Sequence, residues 1–160
     1  MKLATLCYIE KDGHYLMLHR TKKENDIHEG LWVGLGGKFE PGESPEECVI
    51  REVFEESGLR IEKPELKGIL TFPNGFSDLN EDDWYVFLFL ATEFTGEIKP
   101  SNEGELAWVK KDKLADLPMY EGDHYFVKWM NECDGVFSAK YIYDGRALRD
   151  YQFALYGGGS

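Results

Sequence analysis

The chain has 160 residues, 42% of them hydrophobic and 14% aromatic, and a formal net charge of −12. Length and composition describe one globular domain with a core of its own rather than a disordered chain. The acidity argues against a partner that is a nucleic-acid polymer, which would need a basic face, whereas a polyanionic small molecule is compatible with it when metal ions bridge the two sets of negative charge.

Residues 3–9 and 14–20 predict two strands around a turn at Lys11-Asp12-Gly13. Residues 21–30 are polar and charged, which predicts a loop. Residues 31–39 (LWVGLGGKF) read as a short apolar segment entering a glycine-rich turn, where backbone can approach a ligand or take positive φ. A helix follows. Ser44 suits its N-cap, Pro45 its first turn, Glu47 completes a capping box with Ser44, and Gly58 suits its end. Val49, Ile50 and Val53 give this helix an apolar arc for the core. Beside that arc, Glu52, Glu55 and Glu56 stand at i, i+3 and i+4, on one face. Like charges so placed cost about 0.2–0.5 kcal/mol per pair. A cation against them offsets this, and hard oxygen donors suit Mg²⁺ or Mn²⁺. Arg51, four residues after Glu47 and four before Glu55, is placed to clamp carboxylates.

Further on, residues 66–73 and 84–94 predict strands joined by the polar stretch 74–83. The continuously apolar run Tyr85 to Leu90 suggests a central strand buried on both faces. Leu106 to Val109 reads as a short strand and Asp112 to Leu117 as a helical turn before Pro118. Gly122 to Cys133 reads as a second amphipathic helix, with Tyr125, Phe126, Trp129 and Met130 on its apolar side. Residues 136–143 and 147–155 suggest a final hairpin around Asp144-Gly145. Residues 1–156 thus form a single domain, with 157–160 expected to be a linker or frayed tail. Periodicity alone gives a domain containing both α and β elements.

Residues 37–59 carry more than helix signals. Gly37, Glu43, Arg51, Glu52, Val53, Glu55, Glu56, Gly58 and Leu59 match the Nudix box, G-x5-E-x7-R-E-U-x-E-E-x-G-U with U apolar, at all nine specified positions. The chain therefore resembles a Nudix hydrolase. The resemblance implies an α/β (α+β) fold, a mixed sheet sandwiched between helices, and hydrolysis of a nucleoside diphosphate linked to another moiety. Glu52, Glu55 and Glu56 are the expected metal ligands. The resemblance adds the backbone carbonyl of Gly36 and a loop glutamate, Glu103, with Glu105 as its competitor. Glu52 is the expected general base, working with Glu55, while Glu43 and Arg51 pair to orient the loop against the helix, as metal sites commonly need. Held there, Mg²⁺ (or Mn²⁺) withdraws charge from phosphoryl oxygens and makes water a better nucleophile.

The rest of the chain resembles MutT-like 8-oxo-dGTP diphosphatases through Lys23, Leu31-Trp32, Phe72, the Trp108 region, Tyr120 to Phe126, and Asp144-Gly145 with Asp150-Tyr151. That group grips a purine with an aromatic residue and two adjacent aspartates. Here Tyr120 and Asp123 are present, but Gly122 replaces one aspartate and Val33 stands where the vertebrate type has a base-reading asparagine. Phe72, Trp84 and Tyr120 are expected to form a slot for a flat base, with Asp123 reading one edge or capping the following helix. Lys38, and less directly Lys22 and Lys23, are candidate phosphate contacts. The four histidines lack metal-ligand spacing and read as surface or packing residues.

The expected activity is a Mg²⁺-dependent pyrophosphohydrolase that sanitises oxidised purine nucleoside triphosphates to monophosphate and pyrophosphate. The alternatives are a Nudix hydrolase of another nucleoside diphosphate derivative, such as ADP-ribose, and a nucleotide-binding module without catalysis. The expected partner is a small nucleotide, with no nucleic-acid polymer and no membrane, on a monomer or homodimer. Cys7, Cys48 and Cys133 are scattered and odd in number, which suggests reduced thiols and a cytoplasmic protein. The apolar start is broken at Glu10, unlike a signal peptide.

Overall fold

Strand β1 (Lys2–Lys11) turns alternate side chains to opposite sides, and each side meets a different core. Tyr8 belongs to one core; Cys7 and Ile9 belong to the other. Strand β2 (His14–Arg20) divides its residues in the same way, Tyr15 and Met17 against Leu16 and Leu18. The turn between them has Asp12 at φ 51° and Gly13 at φ 74°, the two consecutive positive values that a tight two-residue hairpin requires. The computed structural model describes residues 1–22, 28–75 and 82–157.

The remaining elements follow in order: β3 (Trp32–Val33), β4 (Leu35–Lys38), α1 (Pro45–Ser57), β5 (Arg60–Glu62), β6 (Glu65–Phe72), β7 (Trp84–Ala91), β8 (Glu93–Thr95), β9 (Gly104–Lys110), a 3-10 turn (Lys111–Asp116), α2 (Glu121–Glu132), β10 (Val136–Asp144) and β11 (Ala147–Tyr156). The large mixed sheet runs β11-β10-β6-β7-β1-β2-β3, with β4 also on β1 and β9 also on β2. β1 is parallel to β7, and β10 is parallel to β6. Helix α1 contributes Val49 and Val53 to the core containing Cys7; α2 contributes Phe126, Val127 and Met130 to the core containing Tyr8. The sheet is therefore sandwiched between helices, as expected. β7 sits centrally and sends Leu88 to one core and Phe89 to the other.

Two local expectations change. The glycine-rich segment is strand rather than turn: β4 pairs with β1, and a side chain at Gly36 would collide with the Thr5 carbonyl. The predicted strand 84–94 breaks after Ala91, and Glu93–Thr95 leaves the main sheet to pair with β5. Residues 158–160, most of the expected tail, lie outside the described residues. Among those described, the three cysteines are unpaired and no helix is long and apolar enough to cross a membrane.

Candidate active site

Helix α1 begins as its sequence dictates. The Ser44 side chain accepts from Glu47 N–H at 3.1 Å and the Glu47 carboxylate accepts from Ser44 N–H at 3.0 Å. Gly58 closes the helix at φ 83°. Because Glu47 is spent on the cap, Arg51 turns to other carboxylates. Its Nε and Nη2 donate to Glu43 at 2.7 and 2.9 Å, a fork-to-fork pair. Its Nη1 donates to Glu52 at 2.9 Å and Glu55 at 3.2 Å, and Nη2 also reaches the Lys38 carbonyl at 3.0 Å. The loop before α1 is thus tied to the helix through one guanidinium. Arg51 holds the Glu43 carboxyl down to about 2, helped by the Glu40 N–H. The carboxylates in turn hold Arg51 protonated.

Glu56 is treated differently. It is half-buried, and its Oε1 accepts only a long hydrogen bond, 3.4 Å, from Gly36 N–H. Burial first, then the charges of Glu103 and Glu52, push its carboxyl up to about 8. Glu52 is raised as well, chiefly by burial. A side chain at Gly37 would overlap the Glu52 carboxylate, so glycine there is what lets β4 pack against the acidic face of α1. Glu103 enters this neighbourhood from the residue just before β9, held by Arg20 Nη1 at 3.0 Å. Its competitor Glu105 is exposed and pairs in register with His19 on β2.

The expected metal ligands thus converge on one locality, but not as a finished cage. Among the described residues no three carboxylate, histidine or cysteine groups are drawn together as cation ligands. Glu52 and Glu55 are turned to Arg51, and Glu103 to Arg20. The donors fit a hard divalent cation in chemistry: they are oxygens, and burial with the neighbouring carboxylates outweighs the pull of Arg20 on Glu56, so a cation there would be welcome. Gly36 offers its N–H to Glu56, and its carbonyl is the group expected on the metal.

A cavity of about 260 Å³ opens from this acidic corner. Gly36, Gly37, Glu56 and Arg20 line it together with Val33, Phe72, Trp84, Tyr120 and Asp123, among others. Ligand sites span about 300–1,000 Å³, so this cavity is close to the lower end of that range. Phe72 is both core and wall, packed flat against Tyr141 and Tyr143. Lys38 is exposed and places its ammonium 5.5 Å from the Trp84 ring centre. Lys22 donates to the Ser101 carbonyl at 3.1 Å, and Lys23 lies outside the described residues.

Asp123 does not cap α2. It sits within the first turn, buried, and among the described residues its carboxyl has no hydrogen-bond partner. Burial alone pushes it up to about 8, so it is a neutral acid at pH 7, able to donate as well as accept. His28 departs from the expectation of a packing or surface residue: it lines the cavity, with Nδ1 hydrogen-bonded to the Tyr120 hydroxyl at 2.6 Å. Nothing local in the sequence pointed to it, since Tyr120 is 92 positions away. His19, by contrast, packs flat on Trp32, with ring centres 4.4 Å apart.

A family profile described as NUDIX domain matches residues 2–130. The Bacillus subtilis protein named uncharacterized Nudix hydrolase YvcI is 34% identical over 144 residues, 89% of this chain and 87% of its own length. A Danio rerio protein named oxidized purine nucleoside triphosphate hydrolase is 32% identical over 123 residues, 76% of this chain and 74% of its own. The crystal structure of a Mutator MutT protein from Bacillus halodurans is similar at a TM-score of 0.84 and 35% identity, over 96% of this chain and 97% of that one.

Proposed function

The chain belongs to the Nudix family of hydrolases, and on that premise we propose that it is a Mg²⁺-dependent nucleoside triphosphate pyrophosphohydrolase that takes an oxidised purine nucleotide, 8-oxo-dGTP first among them. The observation that carries this reading is that one cavity is lined by Glu56, by the aromatic rings of Phe72, Trp84 and Tyr120, and by neutral Asp123. The similarity to the zebrafish oxidized purine nucleoside triphosphate hydrolase supports it.

In this reading Glu52, Glu55, Glu56, Glu103 and the Gly36 carbonyl hold the cation. When bound, Mg²⁺ (Mn²⁺ is the alternative) offsets charge on the phosphoryl oxygens and makes a nearby water more acidic. Arg51 and Glu43 keep the loop and α1 in register, so the carboxylates stay fixed relative to Gly36 and Gly37. Glu52 takes the proton of the attacking water as general base. Lys38, and Lys23 with it, meet phosphate oxygens. The aromatic walls stack the base, and Asp123, as an acid, donates to an acceptor on the purine edge while accepting from a donor beside it. The products are the monophosphate and pyrophosphate, within a nucleotide-sanitising role in the cytoplasm.

A second reading within the family, another nucleoside diphosphate derivative such as ADP-ribose, is favoured by one observation. Val33 faces the cavity without a polar group, and Gly122 adds none, so the purine edge meets few fixed partners beyond Asp123. Hydrolysis of 8-oxo-dGTP, dGTP, 2-oxo-dATP and ADP-ribose with Mg²⁺, scoring pyrophosphate and orthophosphate separately, decides between them. A large kcat/KM preference for 8-oxo-dGTP over dGTP with pyrophosphate released is the expected result. Preference for ADP-ribose overturns the substrate reading and leaves the acidic site in place.

A further inference from the structure

The family profile ends at residue 130. β10 begins at Val136, and two of its side chains reach back to the start of α2. Gly122 N–H donates to the Tyr143 hydroxyl at 2.8 Å, and the Tyr141 hydroxyl donates to the Gly122 carbonyl at 3.0 Å. The first N–H groups of a helix have no acceptor within it, and the residue before α2, Tyr120, supplies no side-chain cap. A hydroxyl from another strand fills that place. Both tyrosines are buried, and both pack against Phe72, a wall of the cavity; Tyr143 also meets the Tyr120 ring edge-on, with centres 5.6 Å apart.

The same contact fixes what residue 122 is. A Cβ there would lie 2.5 Å from the Tyr143 hydroxyl oxygen and 3.0 Å from the Tyr141 ring. While Tyr143 keeps its hydroxyl, position 122 has no room for a side chain, so glycine at 122 and tyrosine at 143 form a coupled pair. Asp123 is the next residue; it lines the cavity, and among the described residues its buried carboxyl has no hydrogen-bond partner. Its place is therefore set through the backbone that the two tyrosines hold.

We propose that Tyr143 and Tyr141 are positioning residues for substrate recognition: by gripping both backbone groups of Gly122 they set Asp123 and Tyr120 against the base, so the C-terminal hairpin governs how tightly the nucleobase is held and leaves the phosphoryl chemistry alone. This rests on the cavity being the base site.

The test is steady-state kinetics of Tyr143→Phe and Tyr141→Phe, first on 8-oxo-dGTP and, if the wild type prefers another nucleotide of the panel, on that nucleotide. The wild-type preference judges the substrate reading, and the variants judge the positioning claim separately. Tyr143→Phe is expected to raise KM about fivefold to tenfold, the loss of about one hydrogen bond, with kcat within about twofold. Tyr141→Phe shifts KM in the same direction. Gly122→Ala raises KM further, and adding Tyr143→Phe to it recovers part of the loss, because the displaced hydroxyl is gone. Recovery of that kind is not expected of two independent destabilising changes. A fall in kcat at unchanged KM, unchanged kinetics in both phenylalanine variants, or a double variant as poor as the two losses combined overturns the proposal. Should Tyr143→Phe not fold, Tyr141→Phe and Gly122→Ala give the same KM-against-kcat reading.

Discussion

The loop before α1 and the start of α2 use the same functional group in opposite ways. In the loop before α1 Glu43 faces a guanidinium and is held to about 2, an anion at every working pH. At the α2 end Asp123 faces no cation or donor among the described residues and is pushed up to about 8, an acid at neutral pH. Glu56 resembles Asp123 rather than Glu43: half-buried, near other carboxylates and with one long hydrogen bond among the described residues, it too is pushed up to about 8. Opposite charge thus keeps Glu43 ionised, whereas burial raises Glu56 and Asp123, which line the cavity. In the proposed function chemistry belongs to the α1 half and recognition to the α2 half.

The strongest way to break this division is at the junction. Glu56→Gln keeps shape and removes the acidic oxygen nearest Gly36; kcat is expected to fall about 10³-fold, roughly 4 kcal/mol, with circular dichroism unchanged. Only a small change in kcat would dissociate Glu56 from the chemistry. Next in size is Glu43→Gln, which weakens the fork to Arg51 and frees the loop. A loss of about 10-fold to 100-fold in activity is expected, read together with weaker Mg²⁺ dependence in a metal titration.

Asp123→Asn sharpens the other half. Its folded-state pKa is raised above the unfolded value near 4, so the folded protein retains a proton that the unfolded chain has lost. Stability from this group is full below about pH 4, declines as pH rises, and is lost by about pH 8. Thermal melts between pH 5 and 8 should therefore fall less steeply for Asp123→Asn than for the wild type. Equal slopes would mean that Asp123 titrates normally. In kinetics, kcat/KM for the purine nucleotide should drop as pH passes about 8 in the wild type, with that limb missing in the variant. The smallest expected effect is at the α1 cap: Ser44→Ala costs about 1 kcal/mol, a few degrees in Tm, with substrate preference unchanged.

How much of this was legible follows from distance along the chain. The α1 half is written locally: Ser44 with Glu47, Gly58 at the stop, and three glutamates on one helical face are all within one short segment, so spacing and geometry coincide. The two-faced burial of β7 was legible for the same reason. The pairing of Arg51 with Glu52 rather than Glu47 was not, because the capping box claims Glu47 first. The α2 half depends on contacts between distant segments: His28 with Tyr120, Arg20 with Glu103, and Tyr143 with Gly122. No periodicity encodes these; only the order of strands in the sheet brings them together. The small β5–β8 sheet escaped for another reason, since three-residue strands are too short to establish an alternation.

One cavity is lined by both Glu56 and Asp123, and in the proposed function the two do different work. The most direct test is a Michaelis–Menten analysis of the preferred nucleotide with wild type, Glu56→Gln and Asp123→Asn side by side at pH 7. The account predicts that Glu56→Gln lowers kcat with KM nearly unchanged, while Asp123→Asn raises KM with kcat nearly unchanged. Loss of kcat in both variants with the same KM, or no effect of Asp123→Asn on either constant, would contradict it.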